Sequence, residues 1–206
     1  MKRFLIRHSL HFTTAVGLGV LVYLIARWPV LPGLQRLVCF MFLAITAHEW
    51  EEKLFGFNDL NAKNLQVATD AVDNSIGHFA LFLVTLYVGL VPLFFPHTTW
   101  LSATAMVLGF LEMFAHIAAI RMARNTGSDK KGFYAAGMIT AFSVLPLLSV
   151  YGFYYIISRR MMTPIHWLFA LLNLFVPLLL AQFISVKSMG VDYRQFLKNA
   201  LSSIKG

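Results

Sequence analysis

The sequence predicts an all-α, polytopic membrane bundle of about six transmembrane helices with both termini cytoplasmic. Three observations carry that expectation. Of 206 residues, 58% are hydrophobic and only 13% charged, and the mean hydropathy is +0.69, a composition suited to lipid rather than water. Six apolar segments approach or exceed the roughly 20 residues needed to cross a bilayer, at 11–28, 34–54, 74–95, 99–121, 133–157 and 165–186. Finally, thirteen of the seventeen lysines and arginines fall on one side of that topology, leaving Arg27, Arg36, Arg159 and Arg160 on the other.

The elements follow in order. The start, Met1-Lys-Arg-Phe-Leu-Ile-Arg7, resembles the basic head of a signal peptide, but no A-x-A cleavage site follows the apolar run, so the first segment is expected to stay as a spanning helix. Pro29-Val-Leu-Pro32-Gly33 ends it, Pro92 and Pro96 end the third, and 125–132 separates the fourth from the fifth. Pro146 and Pro177 fall inside the fifth and sixth helices, where neighbouring helices can re-satisfy the freed carbonyls. Trp28, Trp100 and Trp167 mark the outer interface and Trp50 the inner one. Residues 58–73 are polar enough for a short cytoplasmic or interfacial helix. The expected division is one transmembrane domain, 1–186, followed by an amphipathic interfacial helix, 187–206, in which Phe196, Leu197, Ala200, Leu201 and Ile204 share a face.

Composition also excludes functions. The net charge of +8 is explained by orientation in the membrane, and no nucleic-acid motif, phosphate loop or nucleophile elbow is present. With Cys39 as the single cysteine, neither an internal disulfide nor a thiolate cage can form.

Intramembrane ionisable groups are the functional candidates, because each costs a few kcal/mol at a helix centre, ~2.5–3.5 on insertion scales. His48, Glu51 and Glu52 are spaced i, i+3, i+4 on one helix, and Glu112 and His116 are i, i+4 on another. Asp70, Asn74 and His78 line up at i, i+4, i+8 if the third helix reaches back that far. Glu49 is expected to face away and pair with Lys53 in water. At 1.5 Å per residue, His48 and Glu51 lie roughly 21 and 26 Å from the outer end of their helix, His78 roughly 26 Å, and Glu112 and His116 roughly 18 and 24 Å. Three helices thus bring polar groups to one layer in the cytoplasmic half of the bilayer. Taken singly, each has an ordinary explanation: a helix end meeting water, a histidine bonded across helices, an intrahelical Glu–His pair. The match in depth favours a shared site.

Imidazoles with carboxylates form a borderline donor set suited to zinc or iron, one ion or two, with His48, Glu51, Glu52, His78, Glu112 and His116 as candidate ligands. Glu52 is also a candidate general base. Without metal, the same groups form an acid–base pair for a lipid isomerase or cyclase, and a proton or metal-ion carrier is a further alternative. His48-Glu-Trp-Glu51-Glu52, then His78, Glu112-Met-Phe-Ala-His116 and Tyr134-Ala-Ala-Gly137, resemble the ordered motifs of the HXXEE family of small bacterial membrane proteins, over roughly 40–150. Ala136 stands where the family pattern has proline. That likeness implies the bacterial inner membrane and supports the site more than any one reaction. Tyr134 would open the fifth helix in the same layer as a proton donor or supporting partner, and Asp70, Asp73, Asn74 and Gln182 are further groups within reach. Asn173 is expected to bond across helices. The expected partners are membrane lipids and an apolar small-molecule substrate reached from the cytoplasmic leaflet.

Overall fold

The structure, a computed structural model, describes residues 8–55, 75–125, 136–188 and 190–205, without the side chains of 75–78, 200 and 203–205. Every regular element among them is helical, and no strand occurs there. In chain order the helices are α1 Ser9–Arg27, α2 Gly33–Leu54, α3 Ser75–Phe94, α4 Thr99–Asn125, α5 Met138–Phe142, α6 Val144–Ser158, α7 Pro164–Ser188 and α8 Tyr193–Lys205. The expected segments 58–73 and 1–7 lie outside the described residues, as do Asp70, Asp73, Asn74, Tyr134 and the side chain of His78.

Four helices are long and apolar enough to cross a membrane: Ser9–Arg27, Thr99–Asn125, Met138–Ser158 (α5 and α6 together) and Pro164–Ser188. In α3, Ser75–Phe94, the part with described side chains, Phe79–Phe94, is likewise apolar. The α2 helix has the length but not the apolarity, because Gln35, Arg36, His48, Glu49, Glu51 and Glu52 interrupt it. Its position resolves that conflict. It touches α1, α3, α4, α5 and α6, so its polar groups meet protein on nearly every side. The α4 helix is enclosed in the same way, contacting α2, α3, α5, α6, α7 and α8, and residues 101–109 are buried around its whole circumference. Small side chains suit that enclosure: Ser102, Ala103, Thr104 and Ala105 have no solvent exposure, and Gly109 lies against the Met41 sulfur. The two helices richest in candidate ligands are therefore the two at the centre.

A glycine and a proline explain the departures of the fifth helix from its expected boundaries. The fifth helix begins at Met138 rather than 133, because Gly137 adopts φ 91°, outside any helical path. It is then interrupted at Ser143, between α5 and α6. Pro146 lacks the N–H that would bond the Phe142 carbonyl, and its ring crowds that carbonyl, so the break falls one turn upstream. At the other end of the bundle, Gln35 Nε2 donates to the Pro92 carbonyl at 2.9 Å and satisfies one of the open acceptors in the last turn of α3. Asn173 behaves as expected, donating to Thr104 Oγ1 at 3.1 Å and accepting from the Tyr87 hydroxyl, which ties α7 to α4 and α3. The α8 helix opens on Asp192, whose Oδ1 accepts from the Arg194 and Gln195 amides, and it packs on α4 and α7 through buried Phe196.

The close crossing of α2 and α3 depends on Gly89. A Cβ there would sit 2.2 Å from Cδ2 of Phe42, a ring with no solvent exposure. Gly89→Ala is therefore expected to lower stability by about 1–3 kcal/mol despite alanine's better helix propensity. Gly19→Ala, whose Cβ meets nothing within 4 Å, should instead gain about 0.5–1 kcal/mol. Thermal unfolding of both variants in detergent checks the contrast.

Candidate functional site

His48 and Glu52 stand one turn apart on α2, and Glu112 and His116 one turn apart on α4. Where the two central helices cross, their tips converge. His116 Nε2 lies 3.3 Å from Glu52 Oε1 and 3.4 Å from His48 Nε2. His48 Nε2 is 3.6 Å from both Glu52 Oε1 and Glu112 Oε2. One donor atom from each residue lies within 4.8 Å of every other, close enough to hold a metal ion. The imidazoles form the closed side, with His48 4% and His116 0% exposed, whereas the Glu52 and Glu112 side chains keep 19% and 26%.

Backbone from the fifth helical segment closes the site. Gly137 sits so tightly on the group that an added Cβ would approach His116 Cε1 at 2.6 Å, Glu52 Cγ at 2.8 Å and His48 Cε1 at 2.8 Å. Glycine is needed there twice, for its left-handed φ and for the absent side chain.

Glu51 takes a different role from its neighbour. Its Oε1 accepts from the Ile139 amide at 2.9 Å, and its Oε2 accepts from the Thr140 amide at 3.0 Å and the Thr140 hydroxyl at 2.7 Å. Both oxygens hold the first turn of α5, and Glu51 is not part of the four-residue group. Thr140 Oγ1 also lies 2.8 Å from His48 Nδ1. Glu49, expected to pair with Lys53 in water, is instead half-buried against α3, where it accepts from Thr85 Oγ1 at 2.5 Å. Lys53 lies over the Trp50 ring, 5.1 Å from its centroid. Gln182 accepts from Tyr193 at 3.1 Å, a link between α7 and α8. Of the expected ligands, the structure thus unites His48, Glu52, Glu112 and His116 and turns Glu51 aside. His78 and Tyr134 fall outside the described side chains. Spacing arguments missed Thr140, and the signal was faint: one hydroxyl residue in the first turn of the fifth helix, three positions after Gly137.

A helical bundle with four helices long and apolar enough to cross a membrane, and with an internal His/Glu group, defines the class of protein. The family model described as "Protein of unknown function with HXXEE motif" matches residues 39–151, more than half of the chain, and the chain belongs to that family. The matched stretch contains all four convergent residues together with Glu51, Gly137 and Thr140. Neither the comparison with curated proteins nor that with solved structures returned a match.

Gly137→Ala tests the closure. It adds left-handed strain of roughly 1–2 kcal/mol and drives a methyl group among three of the four residues. The variant should unfold at a lower temperature than wild type. Unchanged stability would mean that the backbone of Gly137 does not rest on the group.

Proposed function

We propose that the chain is a membrane-embedded, metal-dependent enzyme whose ion is held by His48, Glu52, Glu112 and His116, and which acts on a lipid or other apolar small molecule. The observation that carries this reading is the spacing of the donor atoms. Ligand bonds of about 2.0–2.2 Å in a tetrahedron give ligand–ligand edges of about 3.3–3.6 Å. Four of the six separations are 3.3, 3.4, 3.6 and 3.6 Å, and all six lie within 4.8 Å. A shared proton draws a charge-assisted N–H···O pair to about 2.7–2.9 Å, shorter than the His–Glu separations of 3.3–3.6 Å here. A dication also supplies the countercharge that two enclosed carboxylates need.

The donor set suits zinc or iron. Zinc would supply a water activated for hydrolysis, and iron would supply oxidation. Glu52 and Glu112 line the more exposed side of the group, and Glu52 would serve either as a fourth ligand or, with three residues holding the ion, as the base beside its open position. Glu112 is the middle residue of α4, Thr99–Asn125, roughly 20 Å from either helix end. A substrate arriving at such depth meets acyl chains, which supports an apolar one. In the wider reading, six spans with both termini cytoplasmic place the group in the inner half of the bacterial cytoplasmic membrane. The Lys and Arg distribution supports that topology. The basic amphipathic α8 then lies along the inner leaflet.

Elemental analysis of purified protein tests the reading. Stoichiometric zinc or iron is expected in wild type and in Glu49→Gln, and should be lost in Glu112→Gln and His116→Ala. Wild-type protein that holds no zinc, iron or manganese even after reconstitution would eliminate the metal centre. Turnover of extracted membrane lipids should then stop with a chelator and return with metal. Turnover that continues in chelator would instead favour a metal-free lipid isomerase or cyclase.

A further inference from the structure

We propose that Thr140, itself held by Glu51, is a positioning residue that fixes the tautomer of His48, turning a lone pair rather than a proton toward Glu52, Glu112 and His116. The inference comes from counting protons along one short chain of contacts. Glu51 Oε2 receives the Thr140 amide at 3.0 Å and lies 2.7 Å from Thr140 Oγ1. A carboxylate offers only acceptors, so the proton in that 2.7 Å contact belongs to the Thr140 hydroxyl. Donating it instead to the Gly137 carbonyl, 3.2 Å away, would leave two oxygens facing each other at 2.7 Å without a proton between them.

A hydroxyl has one proton, and Glu51 has taken it. Thr140 Oγ1 therefore acts as acceptor in its other short contact, the 2.8 Å approach to His48 Nδ1. The proton of the neutral His48 ring must then lie on Nδ1. Nε2, which faces His116 Nε2 at 3.4 Å and the carboxylates of Glu52 and Glu112 at 3.6 Å, is left with its lone pair. Metal-binding histidines are ordinarily oriented in this way, with the far ring nitrogen donating to an oxygen outside the coordination shell.

Adjacent glutamates of the HXXEE motif thereby acquire separate tasks. Glu52 faces the proposed ion, and Glu51 acts on His48 through Thr140. The arrangement also ties the ligand to the start of α5, since the same carboxylate accepts the Ile139 amide at 2.9 Å. The tautomer follows from the hydrogen bonds alone, whereas its consequence for affinity rests on the metal reading given above.

The test uses the full chain in detergent with ¹⁵N-labelled histidine. Spectra are taken without metal under alkaline conditions, where the rings are neutral, and the His48 signals are assigned by their loss in His48→Gln. In wild type the proton should reside on Nδ1. Thr140→Val, which keeps the shape and removes the hydroxyl, should shift the ring toward the Nε2–H form and weaken zinc binding by about 10–100-fold. Thr140→Ser should keep both the Nδ1–H form and the affinity, and it remains a test if the valine variant fails to fold. A wild-type or serine ring protonated on Nε2, or a folded valine variant with an unchanged tautomer, would overturn the proposal. A shifted tautomer with unchanged zinc affinity would overturn the positioning role. If wild type takes up no zinc but shows the expected tautomer, the metal reading falls while the Thr140 assignment stands.

Discussion

Two carboxylates and two imidazoles enclosed between a pair of central helices constrain everything around them. Carboxylates removed from water must be matched by hydrogen-bond donors or by positive charge. The surrounding helices are arranged to make that matching possible. Gly109 on α4 admits the Met41 sulfur of α2. On the remaining side the chain presents bare backbone at Gly137, close enough that no larger residue fits. The interruption of the fifth helix at Ser143, one turn before Pro146, leaves α5 as a separate short piece at the site, and Glu51 holds its first turn.

Helix geometry shows how one short motif serves several neighbours at once. At about 100° per residue, Glu52 falls roughly 40° to one side of His48, Glu49 about 100° to that same side, and Glu51 about 60° to the other. Around a helix bordered by water on one side, such a spread would scatter the groups between core and solvent. Around α2, which is largely enclosed, each of these three directions meets another helix. Glu49 faces Thr85 on α3, His48 and Glu52 face Glu112 and His116 on α4, and Glu51 faces the amides of α5. The density of polar groups that makes α2 a poor spanning helix by composition makes it a suitable central one.

Much of this was legible from residue order. Long apolar runs and proline positions identified the helices, because lipid imposes length and hydropathy on any segment that crosses it. Depth counting brought His48, Glu112 and His116 to a common level, and they do meet. The same reasoning failed at finer angular resolution. Treating His48, Glu51 and Glu52 as one face ignored the roughly 100° between positions i+3 and i+4, which is enough to send Glu51 to a different neighbour. Pairing Glu49 with Lys53 applied a rule for solvated helices to one enclosed by protein. Thr140 carried no distinguishing signal, since threonine is common in spanning helices and its importance lies in which two groups it joins. Gly137 was visible as part of a motif, but its contact with three site residues is a tertiary fact that no local pattern encodes.

X-ray absorption spectroscopy of the metal-loaded protein tests the convergence of the four side chains most directly, because it reads the donor atoms around the ion itself. The account predicts a shell of nitrogen and oxygen at about 2.0–2.2 Å with the outer-shell scattering of two imidazole rings. A shell of oxygen alone, without any imidazole signature, would show that an ion bound to this protein is held elsewhere and would contradict the account.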